Sequence, residues 1–276
     1  WAQPPAGVSF LIMFSLILML VGALSFWLRK LGFFAILGAL ALVVTLESWE
    51  TFTGRYYVYG IDYTTEPAPY NQQHFATLND ADTVRRDSLE TVDILNNWLR
   101  KQRNVRNSPR KPKLLMVLSS GGGSRSAYWT SYCLQKTDSL IGGRLWPQTA
   151  YITGASGGMF ATAYLRELYW EKARLNPGMN LYSSQYRQRV SRDLLNPIIF
   201  NVAVNFFFPT RSFENNGFEY DADRGYAFER QFVRNTYRFN DRRLGDYTQA
   251  VRNATIPIMM MSPAVVNDGR QMMISS

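Results

Sequence analysis

The chain has 276 residues, of which 46% are hydrophobic, 14% aromatic and 18% charged, which excludes a disordered polymer and leaves room for one domain of ordinary size plus further segments. A single cysteine, Cys133, and a single histidine, His74, exclude an intrachain disulfide and leave too few soft ligands for a zinc or haem site, so metal chemistry through His and Cys is not expected. The net charge of +9 rests on 24 Arg and 6 Lys, a balance shared by nucleic-acid binders, by proteins at anionic lipid and by chains with Arg-rich codon usage.

Val8 to Leu28 is a run of 21 residues without a charge; Arg29 and Lys30 follow, and then 16 more uncharged residues to Leu46. One helix over the whole stretch would be about 58 Å long against ~30 Å of hydrocarbon. The pattern therefore predicts a transmembrane hairpin with helices over about 8–28 and 31–46, the second extended through the interfacial aromatics Trp49 and Phe52. A signal peptide fits less well, because no basic residue precedes the first run and a second apolar run follows it. With Arg29 and Lys30 in the turn, the positive-inside tendency places the turn in the cytoplasm and the large domain on the opposite side.

The membrane region is thus assigned to residues 1–52, and residues 53–112 form a connection. Its first part, Thr53 to Ala81, is polar, rich in Tyr and Pro, and reads as extended. Asp80 to Arg100 reads as an amphipathic helix with Leu89, Val92, Leu95 and Leu99 at helical spacing. Arg100 to Lys113 holds seven basic residues, no acid, and Pro109 and Pro112, and reads as a basic linker that is either solvated or in contact with anionic headgroups. It carries no interleaved aromatics and no recognition motif, so nucleic acid is not expected as a partner.

From 113 to 276 the pattern is α/β. Lys113 to Ser119 is a strand, followed by a glycine turn and a helix from Ser124 to about Ser139. Thr149 to Thr153 is a second strand, followed by another glycine turn and a helix from Gly157 to about Glu171. Strand, turn and helix twice over predict a mainly parallel sheet, to which Ile256 to Met261 adds a third strand. Asn196 to Pro209 is strongly apolar and reads as a core helix or as an apolar cap over the site; Asp221 to Thr236 reads as a packed helix. Cys133 reads as a small core residue.

The two glycine turns carry the chemistry. Gly154-Ala155-Ser156-Gly157-Gly158 matches Gly-x-Ser-x-Gly between a strand and a helix, where a strained serine backbone needs small neighbours so that strand and helix can close on one another. Ser156 is the candidate nucleophile, with Gly154 and Gly158 as the glycines of the elbow. In the first turn, Ser120-Gly121-Gly122-Gly123-Ser124-Arg125 offers consecutive backbone N–H groups unobstructed by side chains, suited to an oxyanion or a phosphate. It lacks both the Gly-Lys-Ser/Thr ending of a P-loop and the Gly-x-Gly-x-x-Gly spacing of a dinucleotide site, so the oxyanion is the better fit.

Ser-Gly-Gly-Gly-x-Arg after a first strand, with Gly-x-Ser-x-Gly about thirty residues later, resembles the patatin-like phospholipase family and its relatives, the group IV cytosolic phospholipases. The membrane segments ahead of it resemble the membrane-embedded patatin-like proteins of Bacteroidetes. The resemblance implies a three-layer domain with a mainly parallel central sheet, placed in a bacterial inner membrane, where the charge of the Arg29-Lys30 turn sets the domain on the periplasmic side. It implies a serine esterase or phospholipase of lipid metabolism, working without a cofactor, with membrane lipids as substrate or environment. It also implies a Ser-Asp dyad without histidine, so no catalytic role falls to His74. Gly121, Gly122 and Gly123 would form the oxyanion hole, and Arg125 would support that loop or bind a substrate phosphate. The family sets its aspartate in Asp-Gly-Gly or Asp-Gly-Ala, and the one Asp-Gly here is Asp268-Gly269. Arg270 stands where Gly or Ala is expected and no Asn-Pro follows, so Asp268 is the candidate within the chain while the dyad aspartate is expected beyond Ser276. With the partner unsettled, a non-catalytic subunit of a membrane-protein complex stays open beside the enzyme.

Overall fold

The computed structural model describes residues 5–47, 57–106, 111–207, 210–215, 217–240, 242–265 and 268–275. The chain divides into two units, residues 1–68 with 193–234 and residues 69–192 with 235–276.

Helix α1, Ala6–Leu28, has 23 residues and buries none of them. At about 34 Å it exceeds the ~30 Å hydrocarbon thickness, and among the described residues it is the one helix long and apolar enough to cross a membrane. It ends at Arg29, whose φ of 46° breaks the helical path, and a 3-10 turn, Arg29–Leu31, leads into α2, Gly32–Glu47. A Cβ at Gly32 would sit 3.1 Å from the Ser25 Cα, so a residue without a side chain lets this turn close. The sequence predicts two spans; α1 has the length, whereas α2, at 16 residues and about 24 Å, falls short of it. Trp49 and Phe52, expected to extend the second span, lie outside the described residues.

The second unit begins with α3, Gln72–Leu78, where the Asn71 side chain caps the His74 N–H at 2.9 Å. Helix α4, Ala81–Arg106, starts where the Asp80 carboxylate accepts the Thr83 N–H at 2.8 Å, a bond that holds the Asp80 carboxyl below its ordinary range. The sequence ends this helix at Arg100, but six more residues are helical. Lys101, Gln102 and Arg103 are good helix formers, and Gln102 is buried with its amide donating to the Pro147 carbonyl. Strand β1, Leu115–Ser119, leads to α5, Gly123–Leu140; β2, Thr149–Gly154, leads to α6, Ser156–Arg174; α7, Ser184–Val190, follows.

The chain then returns to the first unit. Helix α8, Leu195–Phe207, starts at Asp193, whose carboxylate accepts the Leu195 N–H at 2.8 Å, with Pro197 in the first turn. It packs along α1, and Ser9 donates to the buried Asn196 side chain at 2.8 Å. The apolar face of this segment therefore has a helical partner in α1. Strands β3, Ser212–Asn215, and β4, Phe218–Asp221, pair antiparallel, with Gly217 at φ 79° just before β4. Rings from Tyr57, Tyr59 and Tyr63 pack on Phe213, Phe218 and Tyr220 at centroid distances of 5.4 to 5.8 Å. The stretch expected to be merely extended thus supplies half of an aromatic core. Helix α9, Arg224–Thr236, begins three residues later than predicted, because β4 takes the chain through Asp221.

Strands β5, Ile258–Met261, and β6, Ile274–Ser275, complete a sheet of order β1-β2-β5-β6, parallel except for β6. The fold is α/β with a mainly parallel sheet, as the two strand-turn-helix repeats predict. Val117, Ile152 and Met259 align across one face. Helices α5 and α6 pack on one another over this face, burying Ile152, Ala161, Leu165 and Leu168, each large aliphatic side chain worth about 1.5–3 kcal/mol. Met116 and Leu118, on the other face of β1, are exposed. Trp170 of α6 closes the lower core with Tyr247, Val251 and Ile256. Buried Arg166 donates to the Pro257 carbonyl at 3.0 Å and stacks 4.9 Å from the Tyr247 ring, and burial lowers its pKa to about 10.

Candidate active site

Both glycine turns lie at the carboxyl ends of neighbouring parallel strands, where open α/β sheets hold their ligands. Ser119 pairs with Gly154 in the register, and the Ala155 N–H donates to the Ser119 carbonyl at 3.0 Å, so the two turns leave the sheet side by side. Beyond them the chains diverge into α5 and α6, and the space between the turns is set by glycine.

Ser156 is the first residue of α6 and has φ 45°. A non-glycine residue in the left-handed region costs about 1–2 kcal/mol, so this backbone is held by its surroundings. The side chain is exposed, at the N-terminus of a 19-residue helix whose dipole favours negative charge there. The surroundings are the first turn. A Cβ at Gly157 would overlap the Gly123 carbonyl oxygen and lie 2.8 Å from its carbon; a Cβ at Gly158 would overlap the Ser120 carbonyl oxygen; one at Gly154 would overlap the Ser119 hydroxyl. From the other side, a Cβ at Gly121 would stand 3.3 Å from the Ser156 Cβ. Gly157, which sequence reasoning left out, makes the tightest approach to the loop; its place directly after the serine was the available signal.

The loop Gly121–Gly123 is exposed and strained in its own way, with φ 140° at Gly122 and 60° at Gly123. The Ser126 hydroxyl donates to the Ser120 carbonyl and ties the loop to the first turn of α5. Ser119 donates to the Thr153 carbonyl at 3.3 Å, and Thr162 donates to the Gly158 carbonyl at 2.9 Å while lying 3.2 Å from the Ser119 hydroxyl. Because α5 starts at Gly123, the N–H groups of its first turn have no carbonyl partner inside the helix. Arg125 is exposed in that first turn and makes no ion pair among the described residues.

Asp268 stands elsewhere. Its carboxylate accepts the Tyr70 hydroxyl at 2.9 Å, the Arg270 side chain at 3.0 Å and the Arg270 N–H at 3.1 Å, and among the described residues Ser156 is not a partner. The Arg270 backbone bond, ahead of the Tyr70 hydroxyl, keeps the carboxyl below its ordinary range. Asp268-Gly269 forms the tip of a hairpin-like extension between β5 and β6, with Gly269 at φ 72° and Val265 donating to the Arg270 carbonyl at 2.8 Å. Arg270, which stands where Gly or Ala was expected, thus shares the carboxylate with Tyr70. His74 lies in α3 with no bond to Ser156, and Cys133 is half-buried and free on α5. Among the described residues no cluster of His, Cys, Asp and Glu forms a metal site.

No protein-family model and no curated protein matches this chain. Among solved structures, a human group IVD cytosolic phospholipase A2 in complex with a methyl γ-linolenyl fluorophosphonate inhibitor and terbium chloride is similar at a TM-score of 0.40 and 12% identity. The alignment covers 69% of this chain and 28% of that one, and a likeness of that size leaves the reading of the site to its own geometry.

Proposed function

We propose that this protein is a membrane-anchored serine acyl hydrolase of the lipase or phospholipase type, cleaving carboxylic esters of membrane lipids. One observation carries the reading: an exposed serine at φ 45° opens a helix after a parallel strand, beside a glycine loop in which a Cβ at Gly121 would stand 3.3 Å from the serine Cβ. A strained, solvent-facing serine is costly to keep, and an interlocked set of glycines around it serves a nucleophile better than it serves a bare turn.

In this mechanism the Ser156 oxygen attacks the ester carbonyl as an aspartate takes the hydroxyl proton. N–H groups of Gly122 and Gly123, beside Gly121, hold the resulting oxyanion, each such donor being worth about 10²–10³ in rate. Collapse expels the alcohol, which receives the proton, and water then releases the acyl group from Ser156. Arg125 steadies the loop or meets a substrate phosphate. With Asp268 engaged by Tyr70 and Arg270, the base is assigned to another aspartate. Helix α1 anchors the chain, and Arg29 and Lys30 orient it with the hydrolase unit on the periplasmic side of a bacterial inner membrane. A reporter active only outside the cytoplasm, fused after Tyr70, is expected to be active; activity of a cytoplasm-only reporter there would invert the orientation.

The engagement of Asp268 favours one second reading, a non-catalytic scaffold within a membrane complex. A fluorophosphonate probe on the detergent-solubilised protein separates them. The enzyme labels, and Ser156→Ala abolishes the label. A folded protein that stays silent is the scaffold, and labelling that survives Ser156→Ala places the nucleophile elsewhere.

A further inference from the structure

The exposed side of α5 is the reverse of an ordinary surface helix. At 100° per residue, Tyr128, Trp129, Tyr132, Lys136 and Leu140 fall within an arc of about 120°. Tyr128, Trp129, Tyr132 and Leu140 are 42%, 65%, 40% and 75% exposed. The adjoining side, Ala127, Ser131, Gln135 and Asp138, is buried and mostly polar. Large apolar groups thus face outward where a soluble protein sets charge. Trp129 and Tyr132 stack at 5.9 Å, and Arg187 of α7 adds a cation, its guanidinium 5.9 and 5.5 Å from the Tyr128 and Tyr132 rings. The only acid on α5, Asp138, is buried and accepts the Leu145 N–H and the Tyr182 hydroxyl. The outward arc is therefore aromatic and cationic, without a counter-charge of its own.

We propose that this face of α5 docks on the anionic headgroup layer of the bilayer. Trp and Tyr are the side chains that settle at the lipid-water boundary, because their rings are apolar and their N–H and O–H groups still reach water. Exposed Lys136, with half-buried Arg187 behind the rings, supplies the positive charge that anionic lipid attracts. Trp129 lies six residues, about 9 Å of helix, from Gly123, whose carbonyl meets Gly157 beside Ser156. Docking this face brings the glycine loop and the serine to the layer where lipid esters reside. The inference takes its premise, a bilayer beside the chain, from the anchoring reading above.

The test uses the full chain in vesicles of phosphatidylcholine with and without phosphatidylglycerol. A nitroxide is placed at Trp129→Cys in a Cys133→Ala background, with Tyr132→Cys as a second position on the face and Gln249→Cys as an exposed reference. At positions 129 and 132, collisions with dissolved oxygen should rise and collisions with a nickel chelate should fall several-fold against position 249. The effect should be larger with phosphatidylglycerol, and Lys136→Glu should reduce it. Nickel access at 129 and 132 equal to that at 249 overturns the docking. Shielding of both positions from both probes also overturns it and points to protein cover instead. Alkaline carbonate tells the premise apart: release of the chain overturns anchoring, whereas aqueous nitroxides in a chain that resists carbonate overturn the docking alone.

Discussion

Gly157→Ala introduces one methyl group where Gly123 passes over α6. The Gly123 carbonyl carbon would lie 2.8 Å from it and Cα 3.2 Å, with the oxygen closer still. Carbon atoms pack at ~3.5–4.0 Å, so the loop has to withdraw by about 1 Å. All three obstructing atoms are backbone, and no rotamer change relieves them. Overpacking of this kind costs about 1–3 kcal/mol of stability. The larger effect falls on the site, because the same residue carries an N–H assigned to the oxyanion, and a displacement near 1 Å costs about 100-fold in rate. The expected outcome is a folded protein with a lowered unfolding temperature and a fluorophosphonate labelling rate reduced by roughly two orders of magnitude. Gly245→Ala is the control, since nothing lies within 4 Å of its Cβ and its φ is not in the left-handed region. Labelling of Gly157→Ala at the wild-type rate would refute the argument that the interlocked turns set the oxyanion geometry.

Ser156→Gly should lose all labelling yet melt above Ser156→Ala by the equivalent of about 1 kcal/mol, because only glycine relieves the positive φ; equal melting temperatures would show that the serine backbone is unstrained. Asp268→Asn should leave the labelling rate near wild type, and a fall of about 10²- to 10⁴-fold would return the role of base to it. Tyr247→Phe should destabilise by about 1–3 kcal/mol in chemical unfolding, since the buried Glu167 carboxylate loses the donor now 2.7 Å away; no change would mean that Arg242 alone satisfies it. Burial, and then the bond to Glu167, pushes the Tyr247 phenol above its usual range, so its contribution is complete below pH 10 and declines as pH rises beyond it. Tyr247→Phe should accordingly flatten the alkaline limb of a stability-against-pH profile, and an unchanged limb would assign that loss to other groups.

The strand, turn and helix around Ser156 are legible along the chain. Strand, glycine turn and helix are set by local periodicity and by which positions tolerate no side chain, and the three parallel strands and the helices after the glycine turns fall within a few residues of where the pattern puts them. Gly-x-Ser-x-Gly likewise announces its conformation, because few other sequences let a residue sit at φ 45° between a strand and a helix. What the sequence leaves undecided depends on partners far apart in it. Asp268 is an Asp-Gly in a plausible place, and only the fold shows Tyr70, 198 positions earlier, claiming its carboxylate together with Arg270. The aromatic residues 57–63 look like a polar connection until the paired strands β3 and β4 supply the rings they pack on. The apolar run at 195–207 has a helical period but no stated partner, and its choice of α1 is a matter of packing. Local backbone preference is written residue by residue; which apolar or charged groups meet is decided by the whole chain at once, because each contact exists only after many others have closed the distance.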